Sequence, residues 1–100
     1  MRGRNLDMYK HEILEKAVEH YGQGHQIVKA MEELGELIQA LAKWKNGAPV
    51  APNVCEEIAD VEIMIHQLKI MLGDVYEDYL IEKKTEKIDR LAARLEGLEG

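Results

Sequence analysis

Two pairs of carboxylates set three residues apart, Glu33 with Glu36 and Glu57 with Asp60, are the part of this sequence best equipped for chemistry. That interval places both members of a pair on one helical face, one turn apart. On a helical projection Glu57 and Asp60 share a stripe with Val61, Met64, Leu68 and Met71, so two carboxylates point where an apolar core is expected. Glu33 falls on a wing with Ala30, Leu37, Ala40 and Trp44, and Glu36 lies one turn on at its edge. Antiparallel packing of the two helices would bring all four carboxylates together. Ionised carboxylates in an apolar interior cost several kcal/mol each, and like charges at close range raise each other's pKa. A divalent cation removes that cost. An all-oxygen ligand set suits Mg2+ first and Mn2+ second, whereas Zn2+ prefers His or Cys. Mg2+ commonly bridges protein carboxylates to substrate phosphates, which points to phosphate-ester or phosphoanhydride chemistry.

Spacing alone does not mark a site. Glu86 and Asp89 repeat the interval, yet Lys83, Lys84, Lys87 and Arg90 surround them, the pattern of a salt-laced solvated face. Cations for distal phosphates are on offer at Lys29 and Lys43 near the acidic edge of the second helix, and at Lys84, Lys87, Arg90 and Arg94 on the fourth. Helical Lys and Arg also make ordinary exposed pairs, so these positions stay open. Gln26, two turns before Glu33, reads either as a contact to a base edge or as a surface Gln near a helix start. Trp44 reads either as a stacking platform for a base or as core or interface. No Glu-x-x-His spacing occurs, since Glu62 and His66 are four apart, so a di-iron bundle is disfavoured. Cys55 reads as a small buried or interface residue and has no partner for an intramolecular disulfide.

Helices must position these groups. The only two prolines, Pro49 and Pro52, fall together in the one clear break, NGAPVAPN at 46–53. Apolar periodicity predicts helices near 7–21, 25–45, 53–72 and 75–96, with the YGQG turn, Asn46-Gly47 and Gly73 as stops and Asn53 with Glu56 as a capping box. Ile27, Met31, Leu34, Ile38 and Leu41 form the main apolar seam of the second helix. The third is apolar in almost every direction, as in a helix surrounded by others. The expectation is an all-α, four-helix bundle-like single domain over residues 1–100, completed by oligomerisation.

A net charge of -6, from 19 acidic against 13 basic residues, disfavours DNA or RNA as a partner. With 46% hydrophobic and 32% charged residues the chain has the composition of a folded domain rather than a disordered one. The charged start lacks the apolar stretch of a secretory signal, and no apolar run approaches the ~18 residues of a membrane span, so a cytoplasmic location without membrane contact is expected.

The segment EELGEL (32–37), followed after a loop by EEIADV (56–61), resembles the paired Glu-Glu-x-x-Glu and Glu-x-x-Asp signature of MazG-like, all-α nucleotide pyrophosphohydrolases, and the likeness spans residues 20–95. The resemblance implies a helical dimer or tetramer that uses Mg2+ to split an NTP or dNTP into monophosphate and pyrophosphate. It implies Glu33, Glu36, Glu57 and Asp60 as metal ligands, with Glu33 or Glu36 taking the proton of the attacking water. It favours Lys84 and Lys87 among the basic residues, by analogy with the family's basic last helix. The competing expectation is a non-catalytic interaction or regulatory dimer whose carboxylates are structural or vestigial.

Overall fold

The computed structural model describes residues 6–99, and the start of the chain, over 1–5, lies outside them. Four helices follow one another: α1 (Leu6–Tyr21), α2 (Gln23–Lys45), α3 (Ala51–Leu72) and α4 (Glu77–Glu99), with a 3-10 turn at Asp74–Tyr76 before the last. No strand occurs among the described residues, so the all-α, four-helix class read from periodicity is the one observed. Gly22 and Gly73 end α1 and α3 at φ of 90° and 80°, a backbone region that side-chain-bearing residues rarely enter.

Several boundaries differ from the sequence reading: α1 starts at Leu6 rather than 7, α2 at Gln23 rather than 25, and α4 runs to Glu99 rather than 96, while the shifted starts of α3 and α4 have a visible cause. Helix α3 starts at Ala51 behind Val50, which offers no side-chain cap, so Asn53 lies within the first turn and forms no capping box with Glu56. Pro52 explains the early start: the first turn needs no donor from it, and its fixed φ already suits a helix. At the other end Val75 belongs to the 3-10 turn, and α4 begins at Glu77.

Helices α2 and α3 form an antiparallel hairpin, since Gln26 at the start of α2 bonds Gln67 near the end of α3. The buried apolar residues are Val18, Ala30, Ala40, Val54, Val61 and Met64. Ala30 and Ala40 lie on the wing of α2 that carries Glu33, and small side chains there let the two backbones approach closely. That contact corrects the expected seam. Ile27, Met31, Leu34, Ile38 and Leu41 face solvent, with Met31 65% and Ile38 67% exposed. Nor is α3 enclosed on all sides, because Ile58, Ile63, Ile65 and Leu72 are exposed, and so is Cys55, read from the sequence as buried or at an interface. By helical projection Ile58, Ile65 and Leu72 flank the buried stripe of α3 on the side where α2 shows its seam. The hairpin therefore has an apolar face and, on its other side, a carboxylate face.

Helix α1 lies along the C-terminal half of α3, with His11 beside His66. Helix α4 makes most of its contacts with the 3-10 turn that adjoins it, and among its described side chains none is buried, leaving Ile81, Ile88, Leu91 and Leu95 uncovered.

One polar contact ties the hairpin shut. Gln26, only 5% exposed, donates through Nε2 to Gln67 Oε1 at 2.8 Å, and Gln67 donates to the Met64 sulfur at 3.7 Å. Removing one partner of a buried pair strands the other. Gln67→Ala should therefore cost about 1–3 kcal/mol in urea denaturation, and Gln26→Leu with Gln67→Leu should cost less than the sum of the single replacements.

Candidate metal centre

The hairpin brings Glu33, Glu36 and Glu57 together midway along α2, with one carboxylate oxygen of each within 4.8 Å of the others. Asp60 is not part of this tight group, although its charge still acts on Glu57. Antiparallel packing across a short turn explains the meeting, because the Glu33 wing of α2 and the Glu57 stripe of α3 are the two contact surfaces. Glu33 is buried, Glu57 half-buried and Glu36 exposed, so the cluster runs from the interior to solvent.

The electrostatics are unfavourable as they stand. Glu33 Oε2 and Glu57 Oε2 are both covered and neither has a hydrogen-bond partner. Loss of hydration pushes the Glu57 carboxyl above its usual range, helped by the charge of Glu36, a hydrogen bond shared with Glu36, and the charges of Asp60 and Glu33. The other oxygen of Glu33 pairs with Lys29 Nζ at 3.1 Å, an i, i+4 contact along α2. That hydrogen bond and the charge of Glu33 hold the Lys29 ammonium above its ordinary pKa.

A hard divalent cation fits this arrangement. Mg2+ binds oxygen at about 2.0–2.1 Å, so ligands on opposite sides of the ion lie about 4.2 Å apart, a spread comparable with the 4.8 Å within which the three carboxylate oxygens lie. The ion would give both orphaned oxygens a partner, which no donor among the described residues now does.

The other candidate residues are scattered. Gln26 is neither a surface residue nor free to read a base, because its amide is engaged with Gln67 and with His25 Nδ1, 2.7 Å away. Lys29 sits at the cluster, while Lys43 and Trp44 are exposed in the last turn of α2. Lys84 and Lys87 are exposed on α4, whose body does not lie against the hairpin. Glu86 pairs with Lys83 at 3.2 Å on an exposed face, as its charged surroundings suggest. The sequence reading missed the Gln26–Gln67 bond and the His11–His66 contact. Neither has a local spacing signal, since their partners are 41 and 55 residues apart. The i, i+4 interval between Lys29 and Glu33 was a signal for their ion pair.

No protein-family model, curated protein or solved structure matches this chain.

Proposed function

We propose that this protein is a Mg2+-dependent nucleotide pyrophosphohydrolase that cleaves the α-β anhydride of an NTP or dNTP, giving the monophosphate and pyrophosphate. The observation that carries the reading is the pair of covered, unpartnered oxygens on Glu33 and Glu57 in a group of three converging carboxylates. The likeness of EELGEL and EEIADV to the MazG-like signature supports the same activity. Glu33, Glu36 and Glu57 would hold the cation, with Asp60 at their margin, and Mn2+ is the expected substitute. Bound there, Mg2+ supplies charge neutralisation for phosphate oxygens and acidifies water.

The protein's own groups have separable roles. Glu36 is the exposed member of the cluster, so its carboxylate is the one that bulk water reaches. It takes the proton of the water whose oxygen attacks the α-phosphorus in line as the bond to the β-phosphate oxygen breaks. Glu33, fixed by burial and by Lys29, orients rather than exchanges protons. Lys29 is the cation paired with Glu33 at the cluster, and it would meet a phosphate oxygen of the bound nucleotide.

We assign the working form to a homodimer or homotetramer. The uncovered aliphatic face of the hairpin is the surface a second copy would bury. One assay tests the activity: incubate the protein with each NTP and dNTP, with Mg2+ and with EDTA, and identify the products. Pyrophosphate and monophosphate in equal amounts, with Mg2+ alone, are expected. No pyrophosphate from any nucleotide would reject the enzyme in favour of a scaffold in which Lys29 balances Glu33.

A further inference from the structure

A second group of chemically capable side chains lies away from the carboxylates, where α1 crosses the end of α3. His11 Nδ1 and His66 Nε2 stand 2.9 Å apart, with the ring centroids 5.2 Å apart and the planes tilted by 36°. The other nitrogen of His11, Nε2, faces Glu15 Oε2 one turn along at 3.7 Å. Both rings open onto a groove of about 420 Å³, lined also by Lys69, Asp74 and Glu77.

The tautomers follow from these neighbours. A carboxylate beside Nε2 of His11 favours the proton there, which leaves Nδ1 with a lone pair aimed at His66. With His11 in that tautomer, His66 Nε2–H would be the donor of the 2.9 Å contact. Burial first, and then the charges of His11 and Lys69, hold the His66 imidazole below its ordinary pKa. Glu15, Asp74 and Glu77 put negative charge on the groove wall, and Lys69 puts a positive one there.

We propose that His11 and His66 form a two-imidazole site for a borderline transition-metal ion of the Zn2+, Ni2+ or Cu2+ class, clamping α1 to α3. The ion would replace the shared proton, binding His11 through Nδ1 and His66 through Nε2. His66 moves its proton to Nδ1, so no net proton is lost. At a metal–nitrogen distance of about 2.0–2.1 Å in tetrahedral geometry the two nitrogens lie about 3.3 Å apart, so the rings must part by a few tenths of an ångström and each swing by roughly 35° to turn its lone pair from the other nitrogen to the ion. Glu15 holds the His11 ring in its ligand orientation, the role carboxylates commonly play behind metal-bound imidazoles. The remaining positions face the groove and take water. The donor set separates this site from the carboxylate cluster, since nitrogen selects these ions and oxygen selects Mg2+.

Electron paramagnetic resonance of the full chain with substoichiometric Cu2+ tests the site directly. Hyperfine structure from two imidazole nitrogens is expected in the parent chain. It should be lost in His11→Gln and in His66→Gln, and retained in His20→Gln, His25→Gln and Glu57→Gln. Glu15→Gln should weaken Ni2+ binding by about tenfold in calorimetry, and Lys69→Gln should strengthen it. These two variants leave both ligands in place, so the test holds even if a histidine variant folds poorly. A spectrum without two nitrogens, or one unchanged in His66→Gln, would overturn the proposal whatever the outcome of the nucleotide assay.

Discussion

Replacing Glu57 by Gln should raise the melting temperature of the metal-free protein at pH 7 and, in the same variant, abolish the stabilisation that Mg2+ gives the parent chain. The carboxyl of Glu57 is held above its ordinary value of 4.5, first by burial and then by Glu36, Asp60 and Glu33. A carboxyl whose pKa is raised by folding favours the native state while it is protonated. Its contribution is complete below the unfolded value and is lost as pH climbs through the raised folded value. At pH 7 the parent chain therefore carries a destabilising charge that Gln lacks, whereas at pH 4 parent and variant should melt alike. Scanning calorimetry of both at the two pH values, with and without Mg2+, reads each part of the expectation. A metal supplies several kcal/mol of transition-state stabilisation in such reactions, so hydrolysis by the variant should fall about a thousandfold. A Glu57→Gln protein that melts lower at pH 7 and still responds to Mg2+ would remove the carboxylates from the metal-binding role.

In the proposed dimer, Leu34→Asp combined with Ile38→Asp should separate the copies into monomers that keep their helical circular dichroism. Both positions are exposed in the isolated chain, so no core is lost. In a symmetric dimer the double change alters four side chains at the interface. At about 1.5 kcal/mol each, the lower end for burying a large aliphatic side chain, the loss is roughly 6 kcal/mol, or four powers of ten in Kd. Sedimentation equilibrium over a wide concentration range reads that shift directly. A parent chain already monomeric at high micromolar concentration would show that the aliphatic face is not an interface between copies.

The helices were legible because their signals are local. Periodicity, Gly73 and the proline break each act within a few residues, and of the boundaries that moved, those at Ala51 and Glu77 did so where a proline fits the first helical turn and where a 3-10 turn precedes the helix. The choice of contact face was less legible. Ile27, Met31, Leu34, Ile38 and Leu41 are the most apolar line on α2, but the hairpin closes on the adjacent wing with Ala30 and Ala40. Hydrophobicity ranks faces by how much they gain from any burial, and it does not say whether the cover comes from the same chain. The grouping of Glu33, Glu36 and Glu57 could be read once antiparallel packing was assumed, because two i, i+3 patterns meet across one turn. The pairs Gln26–Gln67 and His11–His66 could not, since each depends on how far two distant helices slide along one another.

The short connection between α2 and α3 also sets an order of events. Glu33, Glu36 and Glu57 belong to a single hairpin closed by one tight turn, so their encounter needs only local chain closure. Such contacts form early in folding, before associations that depend on concentration. The repulsion among the carboxylates is thus met by the nascent hairpin rather than by a finished assembly. Mg2+ present during refolding should accelerate the folding limb of the chevron, and Mg2+ added only afterwards should slow unfolding without that benefit.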